Sequence, residues 1–260
     1  MPSAGVASLP MYDLPERRDA TDAVWSALGE RLRDNGLPAP DTLDRNEDYH
    51  APWHAPHLVF SQTCGWPLVT SLDARVEVVG AFAYDVPSAD GARYRSLLVT
   101  RAELSDRPIA DLARLRAAVN HGDSLSGWVS LLRGVGAPGS RWPGRSATIV
   151  GAHVASLAAL QRGEADIACI DSVTWALLGD VRPSSRAGLV GVGQGPVIPC
   201  PPLITALGGD LAATRRAVAA VFEDARAEPA LASALRALRI TAFHPVGWEH
   251  YETARALGPA

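Results

Sequence analysis

Apolar residues fall along this chain in short runs, and stretches with helical spacing separate them. GVASLPMY predicts a first short strand. TDAVWSALGERLRDNG places its apolar residues at helical spacing, which predicts a helix capped by Thr21 or Asp22 and closed at Gly36. Residues 37–57, rich in Pro, Asp and His, read as loop. HLVFSQT predicts a strand that stops at Cys64-Gly65, and RVEVVGAFAY and RYRSLLVTR predict two more. IADLARLR has helical spacing, AAVN is a short strand, and SGWVSLLRGVG is a helix begun after Ser124. SATIVGA, HVASLAALQRG and ADIACID then read as strand, helix and buried strand. LVGVGQGP is a Gly-rich strand at a bend. DLAATRRAVAAVFEDARA and EPALASALRAL predict two closing helices. Short apolar runs with helices between them predict an α/β protein with mostly parallel sheets.

Two segments stand out as crossovers. RYRSLLVTR follows the turn SADG, and LVGVGQGPVIP follows the loop RPSSR. A compact βαβαβ unit, about Leu104 to Asp180, lies between them. The expected layout is one discontinuous lobe of residues 1–92 and 195–260, a second lobe of 102–184, and hinge strands at 93–101 and 185–194. No internal repeat or low-complexity tract interrupts it.

Composition narrows the function classes. With 260 residues, 47% hydrophobic, the chain buries a large core. A formal net charge of -4 argues against a nucleic-acid surface. All 24 basic residues are Arg, which excludes a Schiff-base lysine and a P-loop lysine. Cys64, Cys169 and Cys200 form no C-x-x-C pair and no disulfide framework, which fits a reducing compartment. No apolar window reaches bilayer length, so direct membrane insertion is not expected. The first residues lack a basic stretch followed by a long apolar one. The expectation is therefore a cytoplasmic protein as written, or a periplasmic one if an export segment has been removed.

The stretch NHGDSLSGW, Asn120 to Trp128, carries the densest polar chemistry. It follows a strand and opens a helix, where outward N–H groups and the helix dipole favour an anion. Ser124, Leu125, Ser126 and Gly127 are the candidate cradle, with Gly127 letting a ligand approach the backbone. A polar turn with an N-cap is the alternative. Nothing nearby in sequence supplies a base for either serine, and G-x-S-x-G is absent. Asn120 and Asp123 would shape the loop. SQTCGWPL presents Gln62, Thr63 and Cys64 at the C-terminal edge of a strand, where ligands of open α/β sheets bind. Cys64 is a nucleophile only with a thiolate-stabilising partner; otherwise it is a small buried residue. His153 and Ser156 lie on the first turn of a helix, and Asp171 ends a strand. A buried Asp171 needs a cation, a donor or a proton, unless it simply caps the helix SVTWALL. Tyr12, Trp53, Trp66, Tyr84, Trp128 and Trp175 lie at strand ends or beside these motifs, as packing or as walls for an organic ligand. His50, His54 and His57 sit among prolines without matching carboxylates, so no metal site is expected. GVGQG at 191–195 is no dinucleotide fingerprint, because no helix follows it.

ASLPMYDLPE, SQTCGWPL, YRSLLVTR, AVNHGDSLSGW and GAHVASLAALQRGEADIACIDSVTW, in that order from about Ala7 to Tyr251, resemble the phosphate/phosphite/phosphonate-type substrate-binding proteins of ABC transporters. More narrowly, they resemble a short subgroup without a signal sequence. The resemblance implies a type 2 periplasmic-binding fold, with two α/β lobes, two hinge strands and a ligand held in the cleft. It implies a non-catalytic solute-binding protein without cofactors, for a small oxyanion-bearing ligand (phosphate, phosphite, phosphonate or a larger organic anion or zwitterion). A membrane component of an ABC transporter is the implied partner. The ligand-binding set it implies is Tyr12, Gln62, Thr63, Cys64, Tyr84, Asn120, Ser124, Leu125, Ser126, Gly127, His153, Ser156 and Asp171. The family commonly has Gly-Ser-His where this chain has Gly151-Ala152-His153, so one hydroxyl is lost. An acidic residue near Asp171 would meet a ligand amine. The same fold serves enzymes of menaquinone and thiamine pathways, which here would use Cys64, His153 and Asp171. The Cys-rich motif of the thiamine group is absent. A ligand-dependent cytoplasmic sensor is the remaining alternative.

Overall fold

The computed structural model describes residues 5–137 and 139–258. Residues 1–4, 259 and 260, the outermost ends of the expected first lobe, lie outside the described residues, as does 138. In chain order the elements are β1 (Val6–Ser8), α1 (Arg18–Asp34), β2 (Leu58–Gln62), α2 (Gly65–Ser71), β3 (Val76–Tyr84), β4 (Arg93–Arg101), α3 (Ile109–Leu112) and β5 (Arg116–Val119). There follow α4 (Ser130–Gly134), β6 (Ser146–Ile149), α5 (His153–Gln161), β7 (Ile167–Ile170), α6 (Ser172–Val181) and β8 (Leu189–Pro199). The chain closes with β9 (Pro202–Ala206), α7 (Leu211–Asp224), α8 (Pro229–Ala237), β10 (Ile240–His244) and α9 (Glu252–Leu257).

The chain forms two compact units, Met1–Asp85 with Pro199–Glu252, and Val86–Ile198 with Thr253–Ala260. The first unit holds the sheet β1-β2-β9-β3-β10, the second the sheet β6-β5-β7-β4-β8. Both expected hinge segments contribute to the second sheet, as β4 and within β8.

The expectation of mostly parallel sheets does not hold for the first unit. There β1 and β2 are parallel, whereas β2–β9, β3–β9 and β10–β3 are antiparallel. Unbroken apolar runs such as β3, buried at eight of nine positions, report burial on both faces and carry no direction. In the second unit β5 is parallel to β6 and to β7, which is the expected βαβαβ core; β4 joins β7 antiparallel.

Local chemistry explains most boundaries. α1 buries Val24, Trp25, Leu28 and Leu32 along one face. It begins before the expected cap, at Arg18, because the turn Pro15–Arg17 leads into it; Thr21 lies inside and donates Oγ1 to the Arg17 carbonyl at 3.3 Å. Gly36, at φ +78, ends the helix in the left-handed region. The core of the second unit gathers Leu98, Leu112, Val119, Leu131 and Ile167, with Trp128 and Val192 packed against it. The glycines of GVGQG have a packing reason. A Cβ on Gly193 would lie 2.8 Å from Ile109 Cδ1, and one on Gly195 would lie 3.0 Å from Ser130 Cβ. Their absence lets α3 and the start of α4 seat directly on β8. No helix among the described residues is long and apolar enough to cross a membrane.

Candidate functional site

In the second unit, β5 ends at Val119 and delivers Asn120, while β6 ends at Ile149 and leads through Gly151 to His153. These two strand ends are tied directly: Val150 N–H donates to Val119 O and Gly151 N–H to Asn120 O, each at 2.8 Å. The tie brings together side chains 33 positions apart. Asn120 Nδ2 donates to Ser124 Oγ at 3.0 Å and lies 3.4 Å from His153 Nε2. Ser126 Oγ sits 3.1 Å from the same Nε2. Ser124 is the N-cap: its Oγ accepts from Gly127 N–H at 2.9 Å. The turn it opens, Leu125–Val129, is a wide π-type turn, closed by Val129 N–H donating to Ser124 O at 3.0 Å. Such turns cluster at functional sites.

The sequence places His153 on a helix start that faces the same side as Ser124; the structure brings its Nε2 to within 3.1 Å of Ser126 Oγ. Gly127 also has a packing reason. A Cβ there would collide with Asn120 Oδ1 and lie 3.0 Å from Ser124 Oγ. The missing side chain makes room for the Asn120 amide.

Burial lowers the pKa of His153, the charge of Asp171 works against that, and His121 adds to the lowering. The Cys169 carbonyl favours protonation without meeting hydrogen-bond geometry at Nδ1. Asn120 Oδ1 is likewise buried without a hydrogen-bond partner. Buried polar atoms in this condition are uncommon; Asn120 Oδ1 is an acceptor packed against Gly127.

Asp171 is 3% exposed. Its Oδ1 accepts from Val173 N–H at 2.8 Å and Thr174 N–H at 2.9 Å, capping α6, and its Oδ2 accepts from Tyr94 Oη–H at 2.5 Å. The carboxylate is turned inward. Tyr94, on β4, was missed because it sits in a strand that reads as ordinary core. Ser156 is also engaged, donating to Ala152 O at 3.3 Å from a buried position.

The first unit brings Tyr12, Gln62 and Tyr84 together. Gln62 Nε2 donates to Tyr84 Oη at 2.9 Å, and the Tyr12 and Tyr84 rings meet edge to face at 5.1 Å. They border a pocket closed by Leu9, Phe82 and Ile240, about 20 Å³ in volume, room for about one water. Thr63 is fully buried and its N–H donates to Pro202 O at 3.0 Å. Cys64 is partly exposed and caps α2 through its backbone, with Leu68 N–H on its carbonyl at 3.2 Å. Among the other aromatic candidates, Trp53 is buried with Nε1 donating to Gln62 O at 3.2 Å, and Trp175 lies under the Arg186 guanidinium at 4.2 Å. Trp128 packs, partly buried, against the core of the second unit. Among the described residues no group of three or more His, Cys, Asp or Glu is placed to hold a metal ion.

Residues 62–251 match the family described as the periplasmic phosphonate substrate-binding protein of ABC transporters. No curated protein sequence matches the chain. Among solved structures, the fold is similar to PhnD1 of Prochlorococcus marinus in complex with methylphosphonate, at 15% identity and TM-score 0.73 over 98% of this chain and 97% of that one. It is similar to the binding-protein component of a Pseudomonas aeruginosa ABC phosphonate transporter, at 15% identity and TM-score 0.72 over 97% and 84%. It is also similar to XAC2383 of Xanthomonas citri bound to ATP, at 13% identity and TM-score 0.69 over 98% and 96%. At such identities these likenesses speak for the fold, a type 2 periplasmic-binding architecture. The sequence match spans well over half of the chain and reaches into both units, so the chain belongs to the periplasmic substrate-binding proteins of phosphonate-type ABC transporters.

Proposed function

We propose that this protein binds a small oxyanion-bearing ligand, a phosphonate before phosphate or phosphite, at the loop Asn120–Gly127 and His153, and delivers it to the membrane component of an ABC transporter without transforming it. The observation that carries this reading is the meeting of Asn120, Ser124, Ser126 and His153 at the opening of a helical turn. Hydroxyl donors at a helix start are suited to an oxyanion. The remaining members of the expected set, Tyr12, Gln62, Thr63, Cys64, Tyr84, Leu125, Gly127, Ser156 and Asp171, would support or line the site. Strands 93–101 and 185–194 would act as hinges on which the two units close.

The absence of catalysis rests on chemistry. Ser126 and His153 form a pair at nucleophile-to-base distance. The nearby Asp171 accepts from Tyr94 and from the first turn of α6. Burial lowers the pKa of the imidazole, so a proton taken from Ser126 would be weakly held. Cys64 is the N-cap residue of α2, with Leu68 N–H on its carbonyl.

The test is a thermal-shift and titration screen with phosphate, phosphite, alkylphosphonates and alkylsulfonates. A ligand at 100 times its Kd stabilises by about 2.7 kcal/mol. Ser124→Ala should abolish that shift for the binding compound. A flat screen, or a shift that survives in Ser124→Ala, sinks the reading.

A further inference from the structure

Ile149 is the most exposed large apolar side chain among the described residues, at 63%. A lone exposed Ile is ordinary; its position is not. It ends β6, a strand exposed at all four positions, and pairs in register with Val119 at the end of β5. Four residues later the chain reaches His153. The Ile149 side chain lies over the loop that precedes Ser124: a Cβ on Gly122 would be 3.6 Å from Ile149 Cδ1. The same loop carries His121, near enough to His153 to lower its pKa. An apolar side chain therefore borders the polar cradle.

The neighbouring acid does not offset it. Tyr94 and the first turn of α6 take three of the roughly four acceptor sites of Asp171, and the residue is 3% exposed. A ligand ammonium would have to leave water for the one that remains. The rim thus offers apolar contact, and the buried carboxylate is largely committed elsewhere.

We infer that Ile149 is a specificity-determining residue, and that the ligand is an organophosphonate with an uncharged, apolar substituent rather than inorganic phosphate or an aminoalkylphosphonate. This rests on the oxyanion site proposed above. The substituent would lie on Ile149 while the phosphonate oxygens meet the Ser124 turn.

Calorimetric titration of the wild type, Ile149→Ala and Ile149→Glu with phosphate, methylphosphonate, butylphosphonate and its near-isostere 3-aminopropylphosphonate tests this. In the wild type butylphosphonate should bind more tightly than the other three. Ile149→Ala should weaken butylphosphonate by about tenfold and leave methylphosphonate unchanged. Ile149→Glu should reverse the order of the isosteric pair, which a merely structural role would not do. If methylphosphonate binds and the order of the pair is the same in all three proteins, the role of Ile149 is overturned and the oxyanion site stands. If none of the four binds the wild type, both fall.

Discussion

Tyr94 donates a 2.5 Å hydrogen bond to Asp171 Oδ2, on the carboxylate whose other oxygen caps α6. The pair links β4 to the end of β7. Tyr94→Phe removes a donor from a carboxylate that is 3% exposed. It should cost about 1–3 kcal/mol, read as a lower urea midpoint at unchanged slope. An unchanged midpoint would mean the hydrogen bond contributes nothing to holding the acid.

The neutral state of His153 has a pH signature. Burial lowers its pKa below the ordinary value, so the unfolded chain takes up this proton first as pH falls. The unliganded protein should therefore lose stability as pH drops below the ordinary histidine range of about 6.5. An oxyanion beside the ring acts in the opposite direction and raises the pKa. Affinity contributed by the protonated ring is then present at low pH and lost as pH rises through the bound-state pKa. Binding should tighten with falling pH and be accompanied by proton uptake, seen as buffer-dependent heats in calorimetry. His153→Gln should remove the uptake. An identical pH profile in that variant would place the oxyanion away from the ring.

How the loop could be read in the sequence, and where reading stopped, follows from distance along the chain. A Ser, Asp and Gly cluster after the apolar run AAV identifies a helix opening, and the structure caps one at Ser124. Strand β2 and its end at Cys64 were legible for the same reason, an apolar run stopped by Gly. The Ser126–His153 contact spans 27 positions; the alternation of strands and helices gives the parallel pairing of β5 and β6, but not the register that sets which side chains meet. Strand β10 was hidden because α8 leads into it through Leu238 and Arg239, the latter at φ +57 without a Gly to mark the break. Strand β9, PLITA, follows β8 after only Cys200 and Pro201, so Pro199, Pro201 and Pro202 blur where one strand ends and the next begins. The packing of Gly127 against Asn120 is not legible locally, because its neighbour in space is a side chain seven positions back.

Gly127→Ala provides the direct check on that last point. The new methyl group would strike Asn120 Oδ1, so the amide must leave Ser124 and His153. Overpacking of this kind costs about 1–3 kcal/mol, and phosphonate affinity should fall with it. Asn120→Ala removes the obstructing amide, so the double variant should be more stable than the sum of the two single changes predicts. Strict additivity by denaturant unfolding would show that the two residues do not compete for this space.

Ala152 stands at the N-cap of α5 with extended backbone, φ -157 and ψ 157, and makes no side-chain cap. A serine fits that backbone without strain, and its Oγ would accept from an N–H of the first turn. The gain should be about 0.5–2 kcal/mol, seen as a higher melting temperature for Ala152→Ser without ligand. A capping hydroxyl uses one lone pair and keeps its proton. The O–H remains able to donate to an oxyanion held next to His153. Titration with inorganic phosphate should therefore also tighten, because phosphate lacks an apolar substituent to compensate for the lost hydroxyl. A higher melting temperature with unchanged phosphate affinity would place the oxyanion outside reach of the α5 N-terminus, and confine the site to the Ser124 turn.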